Sequence, residues 1–275
     1  MTGNDEAYGK AKLRILPAKA GGWSGIVFSG GKQIGDTLHD EDRERLRTRL
    51  MVLAGTEHPN YFGIEEAIAR FLKFMPGGFA GERYNSPESE RHYKVRARDA
   101  LATTLPLEAA RSASTTDANL LAAAFTPGKL WTNMLSLQES TRLRETLAGP
   151  NGSAFVQAAA KFTDGDLAAG LAGMRKAVAP HGASTWPIAT YLPFFWSTER
   201  HMFLKPEATR DFAERVGHRF AVDYSSEHDP SVYESLIDLA NHTASAIAKL
   251  GPVDQIDVQS FIWVVGRYKE ADLPA

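Results

Sequence analysis

The residues between 185 and 206 include the side chains of this chain that are best suited to chemistry. His201 and Glu199 are suited to general acid–base catalysis, and Arg200 and Lys205 to holding a phosphate or carboxylate group. The large aromatic residues that can wall a pocket here are Trp186, Tyr191 and Trp196. The stretch therefore predicts a site for an anionic ligand, and the alternative is a core helix followed by a solvated Lys205.

The aromatic residues from Trp186 to Trp196 are predicted to form a helix. A second histidine, His181, lies in a predicted loop directly before it. If His181 faces the same cleft as His201, the two imidazoles form an acid–base pair. The sequence gives no distance between them, and a solvated loop histidine is the alternative.

A basic patch lies on a predicted helix further upstream. Arg91, Lys94 and Arg98 share one side of this helix, and Tyr93 lies beside them. Basic side chains next to an aromatic ring favour contact with a nucleic acid. Neighbouring acidic residues neutralise part of the patch, so a solvated helix face is the alternative.

The run from Asp36 to Asp42 is acidic and contains His39. His39 and Asp42 lie three residues apart on a helix that Thr37 is predicted to cap, close enough to share a metal ion. The alternative is that the acidic residues stabilise the first turn of that helix and pair with the arginines that follow. We adopt this alternative and predict no metal site.

Motifs of the common cofactor and enzyme classes are absent from the sequence. Ser29-Gly30-Gly31-Lys32 follows a predicted strand but lacks the spacing of a phosphate-binding loop. The G-x-S-x-G, H-E-x-x-H and EF-hand patterns do not occur. We therefore expect no cofactor, and no motif decides between an enzyme and a binding protein.

Two types of element must position these residues. Residues 12–16 and 23–29 are short β-prone runs, and Gly30-Gly31 predicts a hairpin turn that leads into residues 32–35. Helical spacing and capping signals dominate afterwards, including a capping box at Ser136–Glu139 and a helix opened by Ser86-Pro87. The sequence predicts a mainly α (α+β) fold, a helical protein with a small N-terminal antiparallel β element.

The domain organisation follows from chain length and from one small, polar segment. A chain of 275 residues can form a single compact domain. A linker candidate at 108–119 allows two lobes, 1–107 with the β element and helices and 120–275 all helical.

Composition bounds the compartment and the partners. The chain has no cysteine, which excludes disulfides, iron–sulfur clusters and thiol nucleophiles. It carries 31 Lys and Arg residues against 33 Asp and Glu residues, so it is not broadly basic. No apolar stretch reaches the length of a membrane span, and we expect a cytoplasmic, soluble protein without a membrane partner.

Three functions stay open at this point. The first is a nucleic-acid-associated accessory or processing protein that uses the basic patch. The second is an enzyme or binder of a small anionic molecule, a phosphate or carboxylate, at residues 185–206. The third is a helical protein–protein interaction module. We rank nucleic-acid association first, although the slightly acidic composition weighs against it.

Overall fold

The structure is a computed structural model that describes residues 5–19, 21–56 and 58–274. It is mainly helical and has a small antiparallel sheet near the N-terminus, which confirms the predicted fold class. The chain divides into two compact units. The first unit comprises residues 1–69 and 210–224, and the second comprises residues 70–209 and 225–275.

The sheet of the first unit is a four-stranded antiparallel meander in the order β1-β2-β3-β4. Its strands are β1 (Asp5–Tyr8), β2 (Ala11–Pro17), β3 (Trp23–Ser29) and β4 (Lys32–Asp40). The two predicted strands and the turn at Gly30-Gly31 are confirmed, with Ser29 paired to Lys32 across the turn. The sequence analysis missed β1, which pairs Tyr8 with Ala11 around the tight turn at Gly9-Lys10.

Helix α1 (Arg43–Gly55) packs against this sheet. It buries Leu46 and Leu50 in a core shared with Leu13 and Val27 of the strands. The approach is close at Gly25, where an added Cβ would lie 2.4 Å from Leu50 Cδ1. The small glycine in β3 therefore allows the helix to lie directly on the strand.

The predicted helix start at Thr37 is wrong. Residues 37–40 continue β4, where Asp40 pairs with Trp23. The helix begins after Asp42, whose side chain accepts a hydrogen bond from the backbone N–H of Arg45 at 2.7 Å. Strand pairing with β3 thus overrides a local capping signal.

The remaining helices are α2 (Ile64–Phe74), α3 (Glu82–Asn85), α4 (Glu90–Thr104), α5 (Leu107–Ala110), α6 (Thr115–Ala124), α7 (Leu137–Ala148), α8 (Gly152–Thr163), α9 (Leu167–Val178), α10 (Trp186–Trp196), α11 (Pro206–Val216), α12 (Phe220–Asp223), α13 (Pro230–Ala246) and α14 (Gln255–Arg267). The capping box of Ser136 and Glu139 is present at the start of α7, as predicted. The start at Ser86-Pro87 is wrong, because Ser89 caps α4 by accepting from the backbone N–H of His92. Ser89, three residues further on, therefore sets the boundary.

The core of the second unit contains most of the large aromatic side chains. Helix α10 contributes ten consecutive buried residues, 186–195. Helices α8 and α9 meet closely, since an added Cβ on Gly170 would lie 2.5 Å from Phe162 Cβ. The proposed linker at 108–119 lies inside this unit, where it holds the end of α5 and the start of α6 and buries Ala110 and Ala118.

Among the described residues, every helix is too short or too polar to cross a membrane.

Candidate functional site

His201 is a buried side chain with both ring nitrogens in hydrogen bonds. Its Nε2 lies 2.9 Å from the carbonyl oxygen of Thr163, which can only accept, so Nε2 carries the proton. Its Nδ1 lies 3.0 Å from the hydroxyl of Tyr233 and accepts from it. Burial lowers the pKa of His201 and keeps the ring neutral. The surroundings favour a structural role over acid–base catalysis.

Glu199 and Arg200 lie in the turn before His201 and point to each other. Arg200 Nε is 3.6 Å from Glu199 Oε1, and both side chains are more than half exposed. Ser197 donates from its hydroxyl to Glu199 and accepts from Arg200 Nε at 3.0 Å. Burial raises the pKa of Glu199, but the hydrogen bond from Ser197, a backbone hydrogen bond and the nearby Arg200 together outweigh it, and the net pKa is lowered. These charges satisfy one another locally.

Lys205 lies before α11, as predicted, in a small recess of about 20 Å³ lined also by Glu90 and Gln259. Its Nζ donates to the carbonyl of Met134 at 2.7 Å, and burial lowers its pKa. Such a volume is enough for about one water molecule. The recess is too small for the organic anion that the sequence analysis proposed for this stretch.

The aromatic residues of this stretch pack inside the second unit. Trp186 is 1% exposed, and its Nε1 donates to the carbonyl of Ser225 at 2.8 Å. Tyr191 is fully buried and donates to the carbonyl of Leu130 at 2.5 Å. Trp196 is partly buried and donates from Nε1 to the carbonyl of Leu105 at 2.9 Å. Each ring therefore has its polar atom satisfied by backbone, as core residues do.

His181 lies in the turn after α9. Its Nδ1 is 3.7 Å from a carboxylate oxygen of Glu145, and its carbonyl accepts from Arg142. No contact joins His181 to His201 within the described chain. The proposed acid–base pair of these two histidines stays a prediction without geometric support.

Two basic residues of α4, Arg91 and Arg98, are paired with carboxylates of α14 and its cap. Arg91 Nη1 forms ion pairs with Asp257 and, at 3.2 Å, with Asp254. Arg98 lies 3.5 Å from Asp254 and 2.9 Å from Asp99. Little positive charge is left for a phosphate backbone at this place.

Lys94 and Tyr93 are tied to the same acidic residue of α4. Lys94 is fully buried, 3.1 Å from Glu90, and donates to the hydroxyl of Ser260 at 2.8 Å. Tyr93 donates to Glu90 at 2.7 Å. Burial lowers the pKa of Lys94 and raises that of Tyr93. Neither side chain is free to contact a nucleic acid in this arrangement.

The structure does not support the metal site that was considered at His39 and Asp42. His39 and Asp36 lie in β4, whereas Asp42 is the N-cap of α1. His39 and Asp42 thus share no helix, and the two residues are not one turn apart. The expectation of a common helical face for His39 and Asp42 is therefore wrong.

A concave feature of the first unit, which we call the first-unit cavity, has a volume of about 560 Å³. Its wall comes from the β1–β2 turn, the end of α1 with the residues after it, and residues 210–224. The polar residues of the wall are Lys10, Ser29, His58, Arg210, Glu214 and His218, and the larger apolar and aromatic ones are Tyr8, Pro59, Val222 and Tyr224. This volume is within the usual range of small-molecule sites, about 300–1,000 Å³.

Arg210 is the most unusual side chain of the cavity. Its Nε is buried and has no hydrogen-bond acceptor among the residues that the structure describes. Its guanidinium carbon lies 5.4 Å from the centre of the Tyr224 ring, a cation–π contact. Arg210 thus has a stacking partner but no counter-ion in the described part of the chain.

Glu214, one helical turn further along α11, is engaged by another segment. Asn60 donates from Nδ2 to Glu214 Oε2 at 2.9 Å, and His58 Nε2 lies 3.7 Å from Oε1. His58 Nδ1 in turn accepts from the backbone N–H of Asn60 at 3.2 Å. These contacts hold the carboxylate of Glu214 away from Arg210.

The aromatic wall of the cavity is fixed in place. Tyr8 is 6% exposed, and burial raises the pKa of its hydroxyl, with a further contribution from the charge of Asp223. Tyr224 packs against Phe220 with ring centres 6.0 Å apart. The wall therefore offers firm apolar surface beside its charged groups.

Sequence reasoning missed this cavity altogether. Its lining residues lie between positions 8 and 224, and no two of its charged residues form a local motif. One signal was present, since Gly9-Lys10 between Tyr8 and Ala11 is a two-residue hairpin turn. That signal predicts the turn, but not the helix that completes the wall.

No family model matches the sequence, and no curated protein and no solved structure matches it significantly.

Proposed function

We propose that the first unit binds a small anionic molecule in the first-unit cavity. The observation that carries the proposal is Arg210, a cavity side chain whose buried Nε lacks an acceptor among the described residues. The ligand class is the one that the sequence analysis assigned to residues 185–206, and the location is new.

A buried donor without an acceptor destabilises a fold by about 1–3 kcal/mol. The guanidinium of Arg210 also has no counter-ion among the described residues, and an anion in the cavity supplies one. Arginine suits this task because its planar group donates two parallel hydrogen bonds to a phosphate or carboxylate. The stacking on Tyr224 holds that plane in one orientation.

Lys10, in the turn between β1 and β2, supports the same ligand class. It lines the cavity, is exposed, and forms no ion pair within the described residues. The only carboxylate of the described cavity wall, Glu214, is already bound by Asn60. The cavity therefore carries two basic side chains that lack a counter-ion in the described chain.

The other candidate locations offer an anion less space or less unpaired positive charge. The recess at Lys205 has room for about one water. Arg91 and Lys94 of α4 are paired with Asp254, Asp257 and Glu90. The nucleic-acid function that the sequence analysis ranks first stays a prediction, as does the interaction module.

The test is isothermal titration calorimetry of the purified chain with inorganic phosphate and with citrate, followed by Arg210→Met and Lys10→Met. We expect the wild-type chain to bind at least one of the two anions and both variants to bind it at least tenfold more weakly, since a charge-assisted hydrogen bond contributes about 1.5–3 kcal/mol.

Lys12→Met is the matched control, because Lys12 is an exposed lysine of β2 that does not line the cavity. It removes the same charge from the same sheet and should leave the affinity unchanged. Equal affinities for wild type and Arg210→Met, or equal losses for Lys10→Met and Lys12→Met, contradict the proposal.

A further inference from the structure

We infer that the ligand of the first-unit cavity is a mononucleotide, a phosphomonoester that carries a flat base. This inference rests on the proposed function, and it adds the chemical class of the ligand to it.

The size of the cavity argues against a free inorganic anion. Water occupies about 30 Å³ in the liquid, and a phosphate ion is only a few times larger. The cavity has a volume of about 560 Å³. A bare phosphate would leave most of this space to water, so an anionic group on a larger molecule fits the cavity better.

The basic groups favour a phosphomonoester over a carboxylate. A phosphomonoester carries a charge of about −1.5 to −2 near pH 7. Lys10 and Arg210 supply two positive charges without a counter-ion in the described chain. A single carboxylate would balance only one of them.

The carboxylate of Glu214 favours a ligand that also carries hydrogen-bond donors. A carboxylate has about four acceptor positions, and Asn60 and His58 use only two of those on Glu214. The cavity thus places an acceptor group one helical turn from its arginine. A nucleotide has both features, since its sugar hydroxyls and exocyclic amine donate while its phosphate accepts.

The apolar wall accounts for the rest of the ligand. Pro59, Val222 and Tyr224 give the cavity its exposed apolar and aromatic surface, since the ring of Tyr8 is almost fully buried. Flat heterocycles stack on such rings irrespective of base identity. The wall is therefore suited to a base or another planar ring and gives no reason to expect a sugar phosphate alone.

The experiment compares four probes by calorimetry with the full chain: AMP, ribose 5-phosphate, inorganic phosphate and adenosine. We expect AMP to bind at least tenfold more tightly than ribose 5-phosphate, and adenosine to bind more weakly than AMP. Arg210→Met should reduce the affinity for AMP and leave that for adenosine unchanged.

The variant Glu214→Gln tests the contribution of the acceptor group to affinity independently of the phosphate-binding residues. The substitution keeps the shape of the side chain but removes its charge. It should weaken the binding of AMP about tenfold, while phosphate binding persists. Equal affinities for AMP and inorganic phosphate overturn the inference and leave anion binding intact. Absence of binding by all four probes overturns the inference, and absence of citrate binding as well overturns the proposed function.

Discussion

Arg210 and Glu214 carry opposite charges one turn apart on α11, yet they form no ion pair. Residues at this spacing on a helix are neighbours and usually attract each other. Here the carboxylate of Glu214 is held by Asn60, and the guanidinium of Arg210 stacks on Tyr224. Two side chains that would neutralise each other on an isolated helix are kept apart by the fold. A charged cavity wall is the result.

Replacing Arg210 with Met should preserve or raise stability. The substitution removes a buried N–H that lacks an acceptor in the described chain, and it keeps an apolar side chain on Tyr224. We expect the free energy of unfolding to rise by up to about 1 kcal/mol. Urea denaturation followed by circular dichroism measures it. A loss of more than about 1 kcal/mol would show that Arg210 serves the fold and not a ligand.

Replacing Lys94 with Met should destabilise the second unit strongly. The change leaves the carboxylate of Glu90 without its cation in a largely buried position. Removing one partner of a buried pair costs about 3–5 kcal/mol. The double variant Glu90→Gln/Lys94→Met should recover part of the loss, because no unpaired charge remains. A double variant that is less stable than Lys94→Met alone would contradict this account.

Stability should decrease as the pH falls from 7 to 5. Burial lowers the pKa of His201 and of His228, so the unfolded chain binds protons that the folded chain resists. The loss begins near the unfolded value of about 6.5 and levels off below the folded values. Thermal melts across this range should show a smaller slope for His201→Gln than for wild type. His92→Gln, at an exposed histidine of α4, serves as the control and should keep the wild-type slope.

Replacing Arg91 with Ala should affect folding and leave nucleic-acid contact unchanged. Arg91 neutralises Asp257, which is 1% exposed. We expect a loss of about 3 kcal/mol in the free energy of unfolding. Arg96→Ala on the same helix is the matched control, since Arg96 is exposed and forms no ion pair among the described residues. DNA affinity that falls steeply with salt, and falls further in Arg91→Ala at full stability, would support the nucleic-acid hypothesis instead.

Local signals predicted some helix boundaries correctly. The capping box at Ser136 works through contacts within four residues, and the structure contains it. Such contacts are fixed by the sequence around them. At Thr37 the same type of signal failed, because pairing of β4 with β3 depends on residues more than ten positions away. Long-range pairing is not visible in a local pattern.

The candidate site shows the same limit more strongly. Aromatic density at 185–206 indicated a pocket, but an apolar helix buried in a core has the same composition. The first-unit cavity has an ordinary composition in each of its segments. Its chemistry arises because Arg210 lacks a counter-ion in the described chain. This is a property of the assembled unit and not of any one segment.

The first unit is discontinuous, and this has a consequence for the order of events during synthesis. Lys10 and His58 belong to residues 1–69, whereas Arg210 and Glu214 belong to residues 210–224. The ribosome must add the 140 residues from 70 to 209 before the second part of this wall exists. A nascent chain shorter than that can pair the four strands but has no complete binding wall. On the proposed function, the anion can therefore be bound only after residue 224 has been added to the chain.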